Sequence, residues 1–272
     1  MPHVSRINIH PIKALDGFAV AEARVLRGGA LEHDREWAII ATASGDIVNG
    51  RRTPRVHALR ATYDEAVERV TLNGTTFRIG DPSLDAFLSD WFQETVALRH
   101  FPQGTPDHLK RMPGPSVVST ATLEQVADWL ALSVDEVRRR FRLTIEVGGV
   151  PPFWEDQLVR TQHAVDFRAG AVRMSGIEHC ARCIVPPRNP ETGESTRGFQ
   201  KRFLTLRRDT LPDWSDRGAF PHFYHLGVLT RASGEGSSIR VGDQVVIEGA
   251  GARPSLLAPL RRLRRRLMFR PE

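Results

Sequence analysis

Gly176-Ile-Glu-His-Cys-Ala-Arg-Cys-Ile-Val-Pro-Pro-Arg-Asn-Pro-Glu-Thr-Gly-Glu194 holds the only two cysteines of the 272-residue chain, Cys180 and Cys183. A soft thiolate suits a soft or high-valent metal, a sulfur transfer or a redox exchange, and the neighbouring residues discriminate among these. A thioredoxin-like dithiol needs its first cysteine at a helix N-terminus, where the dipole stabilises the thiolate. Pro186 and Pro187 follow too soon for that. They would break any helix within a turn, so the segment predicts a strand end running into an extended loop. A structural zinc site needs four ligands; without a second cysteine pair, His179, His222 and His225 would have to converge on it from a distance. Two buried apolar cysteines without chemistry are the plain alternative, and that suits Cys180 better than Cys183. Arg182, Arg188 and His179 surround the second thiol with positive charge, which favours its thiolate. Cys183 is the stronger candidate for chemistry.

Outward from this segment, the chain is long enough to bury a large core in one or two domains. Its first residues lack the apolar stretch of a signal peptide, and no run approaches the roughly 20 apolar residues of a membrane helix. The expectation is a soluble protein, and two thiols without a disulfide framework suggest a reducing cytoplasm. The formal net charge is +6, yet from Arg253 onward seven arginines face one glutamate and account for all of it. With the rest near neutral, a basic nucleic-acid-binding face is unsupported, and no nucleic-acid partner is expected.

Strand signals dominate the first hundred residues. Segments 4–9, 20–25, 37–42, 59–63, 67–72 and 77–79 alternate or run apolar between Gly, Asp and Asn turns. Asn73-Gly74 is a hairpin signal. Ser83 is expected to cap a short helix over 84–92, and 96–101 returns as a strand. Gln103 to Pro115 reads as a linker or a loop over the site. Beyond it, Ser116 to Thr120 predicts a strand. Thr122 with Gln125 and Ser133 with Glu136 match the capping box, which predicts helices over 123–131 and 134–141. Strands are expected again at 142–147, 163–167, 171–175, 226–231 and 239–247, with Gly170 and Gly242-Asp243 as turns. The division is therefore 1–102, 103–252 and a tail, 253–272. There, Leu256, Leu260, Leu263 and Leu267 share one side while Arg261, Arg262, Arg264, Arg265 and Arg266 cover the others. Such a segment either docks an acidic protein or an anionic membrane surface, or simply frays or packs its leucines on the body of the protein.

Four ordered motifs carry a family resemblance. Cys180-Ala-Arg-Cys183 followed by Arg188-Asn-Pro-Glu-Thr-Gly193 resembles the core motif of MOSC proteins, the molybdenum-cofactor sulfurase C-terminal family, and most closely the amidoxime-reducing branch. His10-Pro-Ile-Lys13 resembles that branch's Tyr-Pro-Val/Ile-Lys, His33-Asp-Arg-Glu-Trp37 its Arg-Asp-Arg-x-Trp, and Arg51-Arg-Thr-Pro-Arg55 its Arg-Gln-x-Pro-Arg. The resemblance runs from about residue 4 to about residue 249. It implies an α+β, mainly β fold: an N-terminal β-barrel unit packed against a MOSC β-barrel with a few short helices.

The cofactor the resemblance implies is molybdenum-molybdopterin; pyridoxal phosphate is not required. A dianionic phosphate and a polar pterin call for Arg and Lys donors. By position in the motifs, Lys13 and Arg35 would bind the phosphate, Arg142 would reach the pterin, and Cys183 would ligate the metal as the catalytic residue. Ser119, Arg51, Arg182 and the carboxylates Glu155 and Asp156 are secondary candidates, and Trp154 beside them is read as core packing. Two departures stand out. Ala14 replaces a serine common in the branch, and Arg142-Leu-Thr144 replaces its Arg-Pro-Asn, so that Thr144 keeps one hydrogen bond where the amide had two. The implied reaction removes oxygen from an N-hydroxylated substrate such as an amidoxime or hydroxylamine. The chain lacks cysteines for an iron-sulfur cluster, so electrons would come from a separate ferredoxin, flavodoxin or cytochrome. The competing class is non-redox: a carrier of molybdenum cofactor, or of sulfur as a Cys183 persulfide.

Overall fold

The computed structural model describes residues 1–105 and 114–250; the middle of the Gln103–Pro115 connection and the basic tail lie outside the described residues. The fold is mainly β with a few short helices. Its first half runs β1 His3–Ile9, β2 Phe18–Val20, β3 Glu22–Arg24, β4 Trp37–Ala41, α1 Arg55–Ala58, β5 Ala61–Tyr63, β6 Arg69–Leu72, β7 Thr75–Arg78, α2 Pro82–Phe92 and β8 Val96–His100. The second half runs β9 Ser116–Ser119, α3 Thr120–Leu130, α4 Val134–Phe141, β10 Ile145–Gly148, a 3₁₀ turn at Trp154–Leu158, β11 Val165–Ala169, β12 Val172–Ala181, α5 Phe199–Asp209, β13 His225–Ser233, β14 Ser238–Arg240 and β15 Val245–Ala250.

One eight-stranded sheet in the order β15-β11-β12-β13-β9-β10-β1-β2 organises the second half. It captures the start of the chain. β1 pairs antiparallel with β10, Ile7 opposite Ile145, and β3 pairs with β14. Val245 N–H donates to the Pro2 carbonyl at 2.9 Å and Val4 N–H to the Asp243 carbonyl at 2.8 Å, which curls the approach to β15 back onto β1. The enclosed face carries Val4, Ile7, Val147, Phe167 and Val228, none more than 1% exposed. Burying one such aliphatic side chain contributes about 1.5–3 kcal/mol. Polar segments therefore cannot slip into this register.

The first half keeps a smaller core of its own, with Ile12, Leu15, Ile39, Leu72, Leu84 and Leu88 buried between β4-β8, β5-β6-β7 and α2. Asn73 and Gly74 both take left-handed backbone angles, as a two-residue hairpin turn demands. Of the amino-terminal strands, β1 and β3 are hydrogen-bonded to β10 and β14 of the second half, and β2 pairs with β1.

Local expectations are refined in four places. Asp81, not Ser83, caps α2, because its carboxylate accepts from Ser83 N–H at 2.8 Å. Ser119, not Thr122, caps α3, accepting from Thr122 N–H at 2.9 Å, so the helix starts three residues earlier than the capping-box reading. The strand expected from Arg142 begins at Ile145, since Arg142 sits in the left-handed conformation that ends α4. The expected Gly242-Asp243 turn divides the stretch 239–247 into β14 and β15, Gly242 having φ +94°. Helix α5 is new to the structure. Its buried positions are Phe199, Phe203 and Arg207, so the third member of its stripe is charged and the apolar period is lost.

Candidate functional site

The end of β1 runs beside the approach to β4. Arg35 N–H donates to the His10 carbonyl at 2.8 Å, Trp37 N–H to that of Pro11 at 3.0 Å, and Lys13 N–H to that of Trp37 at 2.7 Å. The Asp34 carboxylate accepts from His10 N–H at 3.0 Å. His33, Arg35 and Ala14 all have positive φ without being glycine, strain that persists only where surrounding bonds over-determine the backbone. Lys13 and Arg35, expected on two separate motifs, are thereby placed on adjoining segments.

Arg35 spends much of its guanidinium internally. Nη1 pairs with buried Asp34 and reaches Thr144 Oγ1 at 3.5 Å, while Nη2 donates to the Arg142 carbonyl at 2.9 Å. Arg182 does the same from the other side. Its Nη1 donates to the Phe141 carbonyl at 3.0 Å and its Nε to the Leu226 carbonyl at 3.1 Å, with the guanidinium over the Phe141 ring. Two arginines expected at the cofactor thus grip the carbonyls of residues 141 and 142. Arg142 itself makes no side-chain hydrogen bond or ion pair among the described residues. Thr144 is fully buried and bonds inward, to Arg35 and, through its N–H, to Ser116 Oγ at 3.0 Å. It does not present its hydroxyl to an open face.

β12 delivers the thiols. Cys180 lies near its end, half-buried, and Cys183 stands two residues beyond Ala181, exposed; both are free. This is the strand end and extended loop that the two prolines require. Arg182 N–H donates to the Tyr224 carbonyl at 3.0 Å, continuing the β12–β13 ladder up to the thiol. Among the described residues no three His, Cys, Asp or Glu side chains stand close enough to share a metal ion. His222 and His225 stack on one another at 4.2 Å, and His179 stacks on Phe220 at 3.8 Å.

The other candidates fall elsewhere. Arg51 is exposed on a turn whose amides bond Asn49 Oδ1. Ser119 is fully buried, its hydroxyl occupied by Thr122 and the Pro151 carbonyl, which leaves nothing for a ligand. Glu155 accepts from Ser119 N–H and Thr122 Oγ1, both at 3.1 Å, and burial beside Asp156 pushes its carboxyl up to about 8. Asp156 pairs with fully buried Arg207, itself over the Phe153 ring at 4.0 Å. Trp154 is core, 8% exposed. Ser119, Glu155 and Asp156 form an interior network.

The electrostatics single out Arg142. Burial, followed by the charge of Arg35, brings its guanidinium down to about 10, with Asp16, Tyr63 and Cys183 opposing the fall. A desolvated arginine beside another arginine is stabilised by an anion. Near it lie polar atoms that the protein leaves unpartnered, Tyr63 Oη and both ring nitrogens of His57, with Arg188 Nε close to His57 and Tyr224 Oη close to Cys183. Burial, then Arg142, Arg188 and Arg140, hold His57 down at about 4, so it is neutral at pH 7. His57 comes from a sequence position that gave no signal of its own, since a lone His is common anywhere, whereas Arg188 was expected beside the thiol as a source of positive charge. Orphaned buried donors near unsatisfied cations and a free thiol fit a polar, anionic, metal-bearing ligand.

The fold and this site define a mainly β protein with one exposed thiol set among basic, partly unpartnered side chains. Residues 1–135 match the family model described as MOSC N-terminal beta barrel domain, so this part of the chain carries that domain. It is 24% identical to Mitochondrial amidoxime-reducing component 1 of Xenopus laevis over 89% of this chain and 81% of that protein. It is 25% identical to Mitochondrial amidoxime reducing component 2 of Bos taurus over 89% and 82%. The crystal structure of the YUAD protein from Bacillus subtilis covers 92% of this chain and 98% of its own at 10% identity, with a TM-score of 0.39.

Proposed function

We propose that the protein is a molybdenum-cofactor-dependent reductase of N-hydroxylated compounds such as amidoximes. The observation that carries this reading is the exposed Cys183 thiol beside the unpaired Arg142 guanidinium. The MOSC family's association with molybdenum cofactor and the amidoxime-reducing names of the relatives support it. When bound, the cofactor would supply the two-electron chemistry that removes oxygen from the substrate. The protein's residues would do the rest. Cys183 Sγ would ligate the metal, and Arg142, Tyr63 and neutral His57 would bond the polar pterin. Lys13 would hold the phosphate with the hydrogens that Arg35 still has to spare. Because Arg35 already anchors the Arg142 carbonyl, it would act on the cofactor partly by fixing Arg142.

Electrons would come from a separate ferredoxin, flavodoxin or cytochrome. The two free thiols accord with a reducing compartment, which we take as cytoplasmic, whereas the relatives' printed names are mitochondrial. A second reading draws on the exposure of Cys183, which also suits a carrier of molybdenum cofactor or of a persulfide sulfur. One experiment separates them. Protein made in a molybdopterin-competent host, and in a cofactor-deficient one, is analysed for metal and assayed for amidoxime reduction with a small chemical donor. Molybdenum and turnover from the first host alone support the reductase; molybdenum without turnover supports the carrier; neither metal nor turnover overturns the reductase reading.

A further inference from the structure

We propose that Arg140 and Arg182 form a two-way brace that sets where the Cys183 thiol stands relative to Arg142. The identity of the metal in this inference rests on the function proposed above, but the brace itself does not. Cys183 opens a loop that bonds to itself only from Val185 onward among the described residues: Arg188 N–H donates to the Val185 carbonyl at 2.8 Å, Asn189 N–H to that of Glu194 at 2.7 Å and Thr196 N–H to that of Pro187 at 2.8 Å. Pro186 and Pro187 supply no amide hydrogen, and Ile184, the thiol's own neighbour, is 55% exposed and so gives no apolar hold.

Arg140 crosses from α4 to this loop. Its Nη1 donates to the Pro186 carbonyl at 2.9 Å and to the Arg188 carbonyl at 2.8 Å, and its Nη2 reaches Thr196 Oγ1 at 3.5 Å. Glu136, one helical turn back, neutralises it at 2.6 Å, and the guanidinium lies over the Phe199 ring at 5.3 Å. Arg182 crosses the opposite way, from the loop to the Phe141 carbonyl at 3.0 Å. Both arms therefore end on the same turn, residues 140–142, and that turn closes α4 with Arg142 in the left-handed conformation. Arg140 is only 5% exposed. Burying a guanidinium is costly, and α4 needs no such charge to end where it does. The feature it does explain is a self-bonded loop anchored at a fixed place beside Arg142. One guanidinium serves both loop carbonyls from Nη1 while Nε and Nη2 hold Glu136, an arrangement that the single nitrogen of a lysine cannot reproduce. Neither residue need touch a ligand, so both are positioning residues.

The test uses full-length protein, without metal and as isolated from a cofactor-competent host. Arg140→Gln and Arg182→Gln are compared with wild type by hydrogen exchange of the 184–196 amides and by the rate at which iodoacetamide alkylates Cys183. The expected result is exchange and alkylation faster by about tenfold, the scale of one or two hydrogen bonds from a charged donor, with unchanged protection in β1 and β10. Molybdenum retained after gel filtration should fall in parallel. Should the Gln variants not fold, Arg140→Lys carries the test: it keeps a positive charge, but its one nitrogen cannot hold Glu136 and the two loop carbonyls together, so it must still loosen the loop. Folded variants with wild-type exchange and alkylation overturn the brace. Wild type that never binds molybdenum overturns the proposed function instead and leaves these two readouts interpretable.

Discussion

Arg35 Nη2 donates to the carbonyl of Arg142 at 2.9 Å, across 107 residues of sequence. The same guanidinium pairs with Asp34, which is only 4% exposed, so one side chain both neutralises a buried carboxylate and fixes the turn that presents Arg142. A phosphate-binding role for Arg35 is thus layered on a structural one, and the two separate by mutation.

Arg35→Ala should lower stability by about 3 kcal/mol, the scale of stranding a buried charge, and should weaken cofactor binding as well. Lys13→Ala should weaken cofactor binding by about 1.5–3 kcal/mol with an unchanged melting temperature. Thermal melts and cofactor titration of both variants check this. An Arg35→Ala protein that melts like wild type would show that the grip on Asp34 and Arg142 carries no weight.

Cys183→Ser should abolish molybdenum retention, whereas Cys180→Ser should leave most of the metal in place, because only Cys183 stands clear of the β12 ladder and exposed. Metal analysis after gel filtration decides it. Equal loss in both variants would indicate a site that uses both thiols.

Glu155 gives a pH dependence of defined sign. Its carboxyl is pushed up to about 8 in the folded state by burial and then by Asp156, so between the ordinary carboxylate range and about 8 the folded protein holds a proton the unfolded chain has lost. Stability from this group therefore falls as pH rises through that window and levels off above it. Glu155→Gln keeps the shape without the proton, so the difference in stability between Glu155→Gln and wild type should grow from pH 5 to pH 8. Denaturant melts across that range test it; a constant difference would place the carboxyl back in its normal range.

The tail carries the formal charge excess and is testable by deletion. Removing residues 253–272 should leave metal content and reduction by a small chemical donor intact, yet slow turnover with a protein donor or remove binding to anionic vesicles, since cationic faces beside an apolar stripe favour both. A truncated protein that matches the full chain in both assays at low salt has no docking tail.

What could be read in advance follows the range of the interactions concerned. The Asn73-Gly74 hairpin, the Ser133 cap and the strand-to-loop change after Cys180 depend on residues a few positions apart, and each is where the sequence puts it. Ser119 was legible as a residue of interest but not as a cap, although its capping partner Thr122 N–H is only three residues on, because Thr122 with Gln125 offers a competing capping box. β1 reads as a strand, while its partner β10 cannot be named from local alternation. Helix α5 escaped because Arg207 occupies an apolar position. Lys13, Arg35, Arg142 and Cys183 were nameable by motif, whereas the carbonyls that Arg35, Arg182 and Arg140 bind were not, since any carbonyl looks like any other in a sequence.

The pairing of β1 with β10 also orders events during synthesis. His3–Ile9 leaves the ribosome well ahead of its hydrogen-bonding neighbour, Ile145–Gly148, and of the β14 partner of β3 at Ser238–Arg240. At about 5–20 residues per second the opening strand waits roughly 7–28 seconds with an unpaired edge and its apolar face uncovered. The smaller core of residues 12–98 can assemble meanwhile, but the amino-terminal strands cannot be finished until Ser238–Arg240 has emerged. A nascent chain stalled near residue 105 should therefore be a chaperone substrate, and a split protein supplying residues 114–272 in trans should capture that edge and restore the sheet.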